Sequence, residues 1–287
     1  MVYPCSRQML FNEIGEHKFI TYELDYPTKK EDFLKYIIPV LKEEYGLDIK
    51  LEEKIRNLSL DRKKNIEKFM AKYNTPDPSN PAPRGKPWLK NTRGKLPEIL
   101  ARDILKKLEK VEFACRMSLE EEDPDMPKRG IDNFGFIFKK LDGKISLDYI
   151  VSCEVKASDD KESPPSVVHK SSDSMFTSLK SITLLDQRFR KAIASIIDKL
   201  SAGEYLELIC SVADDLEKGE NLDYIRKKII AVPFLLRKKE CWTEDDFGKF
   251  ATNYNEIECA AIRYYILTIN YELGSFADEI YDELRKG

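Results

Sequence analysis

The sequence has few of the residue patterns that mark common classes of protein site. Histidine occurs only at positions 17 and 169, and none of the six cysteines forms a C-x-x-C pair. A zinc site needs a cluster of such ligands, so we expect no His/Cys metal site. The scattered cysteines indicate buried thiols in a reducing cytosol rather than disulfides. There is no glycine-rich phosphate-binding loop, which argues against a nucleoside triphosphatase in this chain.

Long apolar runs and an excess of positive charge are also missing. No stretch of about 18 apolar residues occurs, so we expect no membrane span. The opening residues, MVYPCSRQMLFNEIGEHKF, lack the charged and apolar regions of a secretory signal, which favours a cytoplasmic protein. The 48 basic and 51 acidic side chains leave a net charge of -3. That balance excludes a strongly basic DNA-binding protein but allows a local basic groove.

Residues 1–75 predict an N-terminal α+β region. HKFITYELDY has the pattern of a strand, and KKEDFLKYIIPVLKEEYG and LSLDRKKNIEKFMAKY have that of amphipathic helices. Pro39 is expected to kink or break the first helix. In the second helix we expect the apolar side chains to face inward, namely Leu58, Ile66, Phe69, Met70 and Tyr73.

Residues 76–95 are rich in proline and predict a loop or linker. No acid follows Asp77 in this segment, whereas the bases recur throughout it: Arg84, Lys86, Lys90, Arg93 and Lys95. Two interpretations are open, a solvated linker or a basic strap that contacts DNA phosphates. Trp88 either stacks on a base or packs against the helix that follows.

Residues 96–287 alternate helix and strand patterns. LPEILARDILKKLEK predicts a helix with Pro97 in its first turn, and VEFACRMSL, GIDNFGFIFKK and ISLDYIVSCEVKA predict strands. The Asp-Gly pair in LDGK is typical of a tight hairpin turn. MFTSLKSITLLDQRFRKAIASIIDKL and EYLELICSVADDLEKG predict helices, RKKIIAVPFLLRKK a strand, and residues 253–287 one or two closing helices. The class is mixed α and β.

Charged side chains stand in the most apolar strand. Alternation puts Glu154 and Lys156 on one face, while Val151, Cys153 and Val155 share the other. The acid-x-Lys pattern recurs elsewhere in the chain, so only this strand context gives it weight. Asp132 and Glu154 on neighbouring strands could hold one divalent cation through oxygen, as Mg²⁺ prefers. The other interpretation is a salt bridge on a half-exposed sheet face.

The order of these charged residues resembles the PD-(D/E)xK nuclease superfamily. The matching features are a helix with Glu98, a strand that begins near Asp132, and CEVKAS with Glu154 and Lys156. GID stands where that superfamily often has a proline before the aspartate. The resemblance implies a restriction-endonuclease-like core over residues 96–287, a central mixed sheet flanked by helices. It also implies phosphodiester hydrolysis that depends on Mg²⁺, with Mn²⁺ as a possible substitute.

The same resemblance assigns roles to individual residues. The metal ligands would be Asp132, Glu154 and Val155. Lys156 would be the catalytic lysine, which orients the attacking water or stabilises the pentavalent phosphorus, and Glu98 would be the acid of the core helix.

A narrower resemblance concerns the nuclease subunit of the Hachiman antiphage-defence system. The segments that carry it are GKLPEILARDILKKL, RGIDNFGFIF, SCEVKAS and IIAVPFLL. It implies a DNA substrate and a partner helicase or ATPase that restrains the nuclease. Two other hypotheses stay open: an inactive nuclease-fold binding or assembly subunit, and a stand-alone restriction-type endonuclease. The latter needs a target-recognition region, for which residues 1–75 look too small.

Overall fold

One mixed sheet organises the chain. The structure, a computed structural model, describes residues 7–116, 130–170 and 174–286. Its six strands are β1 (Arg7–Ile14), β2 (His17–Leu24), β3 (Asn133–Leu141), β4 (Lys144–Ser158), β5 (Ile229–Lys238) and β6 (Ala261–Ile269), in the order β1-β2-β6-β5-β4-β3. The four central strands are parallel, and an antiparallel hairpin partner closes each edge. The predicted mixed α/β class with a central mixed sheet is confirmed.

Helices cover both faces of this sheet. They are α1 (Tyr26–Glu44), α2 (Ile49–Lys54), α3 (Leu60–Asn74), α4 (Asn91–Leu108), α5 (Ser166–His169), α6 (Met175–Thr183), α7 (Gln187–Lys199), α8 (Glu204–Lys218), α9 (Leu222–Arg226), α10 (Lys249–Thr252) and α11 (Leu273–Lys286). The apolar sides of α1, α4 and α11 bury Phe33, Leu96 and Phe276 in one core with Val151 of β4. The opposite face packs against α6, α7 and α8. In the described part of the chain no helix is both long and apolar enough to cross a bilayer.

The N-terminal region shares this architecture with residues 96–287. β2 pairs in parallel with β6, and Tyr22, Phe33 and Val151 belong to the same buried cluster. Residues 1–75 were expected to carry one strand, and the structure adds β1 as its antiparallel partner. The region therefore contributes two strands and α1 to the common sheet and core.

The β3–β4 hairpin forms as its turn sequence predicts. Asp142 and Gly143 both have positive φ, 50° and 80°, as a two-residue type I′ turn requires. Pairing then shifts by one residue between Ile137 and Phe138, so that Asp148 of β4 has no partner in the ladder. Beyond this bulge Asn133 lies opposite Cys153. Next to the hairpin, the predicted strand VEFACRMSL forms only an isolated bridge from Glu112 to Phe136, and its residues 117–119 lie outside the described ranges.

Three predicted elements differ from the structure. The long helix after residue 174 is two helices, because Leu185 adopts a positive φ of 62° and Asp186 caps the start of α7. The segment AIRYYILTI was expected to be helical and instead forms β6, a buried central strand rich in β-branched and aromatic residues. α1 continues through Pro39, so of the two expected effects, a kink or a break, the break does not occur.

Two further corrections concern the segment from α3 to α4. Of the apolar residues expected to face inward, Leu58 and Met70 pack against the core, whereas Ile66, Phe69 and Tyr73 are exposed. Ala71 is the residue that α3 buries. α4 begins at Asn91, so the irregular segment ends at Lys90 rather than Lys95, and Pro97 lies inside the helix instead of in its first turn.

Candidate active site

The β3–β4 hairpin brings Asp132 and Glu154 together. Asp132 immediately precedes β3, and continuing the register from the Asn133–Cys153 pair places it opposite Glu154. The carboxylate of Asp132 accepts a hydrogen bond from the backbone N–H of Val155, at 2.7 Å from Oδ2 to N. The two acids therefore lie at the same point along β4.

Glu154 is buried in a charged environment. Its side chain is only 6% exposed, and its Oε1 accepts a hydrogen bond from Lys156 Nζ at 2.9 Å. Burial, followed by the negative charge of Asp132, raises the pKa of Glu154 to about 7, although Lys156 acts in the opposite direction. The charged form of this carboxyl group is therefore disfavoured even with the Lys156 ammonium beside it. The Lys156 side chain is 24% exposed, so its ammonium lies at the boundary with solvent.

A serine and an arginine fix the second oxygen of Glu154. Ser178 on α6 donates its hydroxyl proton to Oε2 at 2.9 Å. Arg188 on α7 donates from Nη1 to Ser178 Oγ at 2.7 Å and from Nη2 to the Ser178 carbonyl at 3.0 Å. Because a guanidinium only donates, the serine must accept from it and direct its own proton to Glu154. The carboxylate is thereby held in one orientation from two sides.

Glu98 lies on the helix that covers the other face of β4. Lys95 Nζ is 3.4 Å from its Oε2, and both side chains are largely buried. Burial, followed by the charges of Asp132, Glu154 and Glu98, raises the pKa of the Cys153 thiol. Within the described ranges, no three or more His, Cys, Asp or Glu side chains form a group that could hold a metal ion. Glu98 thus does not join Asp132 and Glu154 in a three-carboxylate cluster.

The Asp132–Glu154 pair offers hard oxygen ligands. Val155, the third residue of the predicted ligand set, buries its side chain and has only its main-chain carbonyl to offer. Two close carboxylates, one of them with a raised pKa, form a site that a divalent cation would neutralise. This oxygen-only set matches the preference of Mg²⁺, which keeps several waters and binds through one or two carboxylates.

The five bases predicted to contact nucleic acid divide into two groups. Arg84 and Lys86 are exposed. Lys90 donates to the Pro78 carbonyl and to Asp278, at 2.6 and 2.7 Å. Arg93 is buried and forms a bidentate pair with Asp159, with both N···O distances 3.0 Å, and Lys95 is buried beside Glu98. Lys90, Arg93 and Lys95 therefore hold the start of α4 in place.

A buried arginine anchors the chain where it leaves β4. Arg237 of β5 pairs with Asp246 at 2.9 Å, and both side chains are fully buried. Its remaining donors reach the carbonyls of Asp160 and Glu162, at 2.5 and 2.8 Å. Together with the Arg93–Asp159 pair, this network fixes the segment that begins three residues after Lys156.

Ser178 is the functional candidate that sequence reasoning missed. A usable signal exists, because Ser178 stands on the apolar side of α6 among Met175, Leu179 and Ile182, all of which are buried. A polar residue in that position needs a buried partner.

The comparisons with known proteins do not assign a function to this site. No protein-family model, no curated protein and no solved structure matches the chain.

Proposed function

We propose that this chain is a Mg²⁺-dependent DNA endonuclease of the PD-(D/E)xK type, with a restriction-endonuclease-like core. The observation that carries the proposal is the meeting of Asp132 with buried Glu154 beside Lys156. A salt bridge between Glu154 and Lys156 alone would need no second acid. Burial, and then the negative charge of Asp132, raise the pKa of Glu154 and disfavour its charged form, which a cation at this point would stabilise.

In this proposal each residue has a defined task. Asp132, Glu154 and the Val155 carbonyl would hold the cation, which stabilises charge on a phosphoryl oxygen and lowers the pKa of bound water. Lys156, at the solvent boundary, would orient the attacking water or stabilise the pentavalent phosphorus through its ammonium. Ser178 keeps the Glu154 carboxylate in a single orientation, so this side chain needs little rearrangement to bind a cation.

We further propose a cytoplasmic role in antiphage defence under the control of a partner helicase or ATPase. This part rests on the resemblance in the hairpin and helix motifs. A second candidate is a nuclease-fold assembly subunit that does not cleave. It is favoured by one observation, that both oxygens of Glu154 already accept hydrogen bonds from Lys156 and Ser178.

Plasmid cleavage distinguishes the two candidates. The full chain, Glu154→Ala and Lys156→Ala are incubated with supercoiled DNA and Mg²⁺ or Mn²⁺, with and without proteins that co-purify. Glu52→Ala and Lys144→Ala are matched controls, because both residues are exposed and belong to acid-x-Lys patterns outside the site. We expect cleavage by the wild type and both controls and its loss in the two site variants. Absence of cleavage in every condition, or equal cleavage by the site variants, favours the assembly subunit.

A further inference from the structure

Residues 60–90 carry a charge opposite to that of the whole chain. They contain eight Lys or Arg and three Asp or Glu, whereas the full sequence has 48 and 51. Arg62, Lys64 and Lys68 on α3 are exposed and form no ion pair with any residue in the described ranges. The positive charge is therefore concentrated on one segment and available to an external anion.

Three exposed aromatic rings lie within this basic segment. Phe69, Tyr73 and Trp88 are 58%, 56% and 60% exposed. The rings of Phe69 and Tyr73 are 4.6 Å apart between centroids, and the ammonium groups of Lys72 and Lys86 lie 5.3 and 5.6 Å from the rings of Tyr73 and Trp88. Exposed rings interleaved with bases are the pattern on which unpaired nucleobases stack while cations meet the backbone.

The segment is anchored on α11 and continues into α4. Arg285 of α11 donates to the Lys72 carbonyl and pairs with Asp77, while Lys90 pairs with Asp278 on the same helix. The chain then enters α4, where Arg93 is held by Asp159. Because Asp159 follows Lys156 by three residues, the basic segment leads to the end of β4 that carries the site.

We propose that residues 60–90 form a binding surface for single-stranded nucleic acid. The proposal rests on the proposed nuclease function and specifies the form of its substrate. The excess of eight bases over three acids in residues 60–90 favours a polyanion as the occupant, and an acidic protein ligand is an alternative outcome of the test.

Fluorescence anisotropy tests this surface without requiring cleavage. The full chain in EDTA is titrated into labelled single-stranded DNA, single-stranded RNA and duplex DNA of equal length. We expect tighter binding to single strands, and about tenfold weaker binding for each ring lost in Phe69→Ala and Tyr73→Ala. Lys64→Gln and Lys68→Gln should each reduce the salt slope by roughly 0.7.

Tyr224→Ala is the matched control. This tyrosine is 60% exposed with Lys228 Nζ 5.0 Å from its ring, but it lies on α9, outside the proposed surface. Its loss should leave binding unchanged. The inference is overturned by the absence of single-strand binding at low salt, by unchanged binding of the ring variants, or by preference for an acidic protein ligand. Binding without any cleavage would instead contradict the proposed function alone.

Discussion

Replacement of Glu154 by glutamine should change how stability depends on pH. In the absence of divalent cations the pKa of Glu154 is raised from 4.5 to about 7, first by burial and then by Asp132. Glutamine has the same shape and cannot ionise. Glu154→Gln therefore removes the titration while it keeps the volume of the side chain among its neighbours.

The sign of the effect follows from proton uptake. Between pH 4.5 and about 7 the folded chain holds a proton on Glu154 that the unfolded chain has lost. The free energy of unfolding of the wild type must therefore fall as pH rises through this window, and the fall ends near pH 7. A difference of two to three pKa units at 1.36 kcal/mol each corresponds to roughly 3 kcal/mol. Glu154→Gln lacks this pH-dependent contribution to the free energy of unfolding.

Urea unfolding at a series of pH values from 4.5 to 8, in EDTA, measures the effect. The stability difference between Glu154→Gln and the wild type should shift by roughly 3 kcal/mol in favour of the variant as pH rises. Subtraction removes the pH dependence of groups that do not interact with Glu154. Glu52→Gln, at an exposed position of α2, should run parallel to the wild type.

Mg²⁺ provides the second half of the test. At pH 8 a cation bound to Asp132 and Glu154 should stabilise the wild type, by about 1.4 kcal/mol when its concentration is ten times the dissociation constant. The variant should gain much less. Parallel pH profiles for the wild type and Glu154→Gln would refute the reasoning about the acid pair, and equal Mg²⁺ stabilisation of both would refute the cation site.

Three further predictions concern other parts of the structure. Ser178→Ala removes the hydroxyl that orients the site carboxylate, so half-maximal cleavage should need several-fold more Mg²⁺, whereas an unchanged Mg²⁺ titration would exclude this role. Arg237→Met strands the buried Asp246 carboxylate and should cost roughly 3–5 kcal/mol in urea unfolding; the added change Asp246→Leu should restore much of it, and no recovery would contradict the pairing. Gly135→Ala would place a Cβ 2.7 Å from a backbone carbonyl oxygen and should lower the free energy of unfolding by roughly 1–3 kcal/mol. Gly94→Ala, with nothing within 4 Å, should not destabilise α4 and is the control.

Local sequence signals predicted the hairpin and its two faces. The Asp142–Gly143 pair is the turn, and the alternation in β4 separates Glu154 from Val151 and Cys153 as expected. Such features depend on neighbouring residues alone, because strand period and turn geometry are set within a few positions. The strand β5 and the helix α8, which ends at Gly219 in the left-handed conformation, were predictable for the same reason.

Features that depend on distant parts of the chain were not predictable. The amphipathic pattern of α3 does not reveal that its apolar stripe, including Phe69 and Tyr73, has no covering element in the described structure. The pattern of AIRYYILTI suits a buried helix or a buried strand, and only pairing with β2 and β5 decides for β6. Ser178 gains its role from Glu154, which is 24 positions earlier in the sequence.

The bulge at Asp148 determines which residue Asp132 meets. Near the turn, partners follow the register of Leu141 with Lys144, and continuing that register without the extra residue would put Asp132 opposite Cys153. Cross-strand partners share a face, so the acid would then point toward the core under α4 and away from Glu154. A single unpaired residue thus sets the strand register of the hairpin. Deletion of Asp148 would separate Asp132 from Glu154, although every proposed ligand would still be present in the sequence.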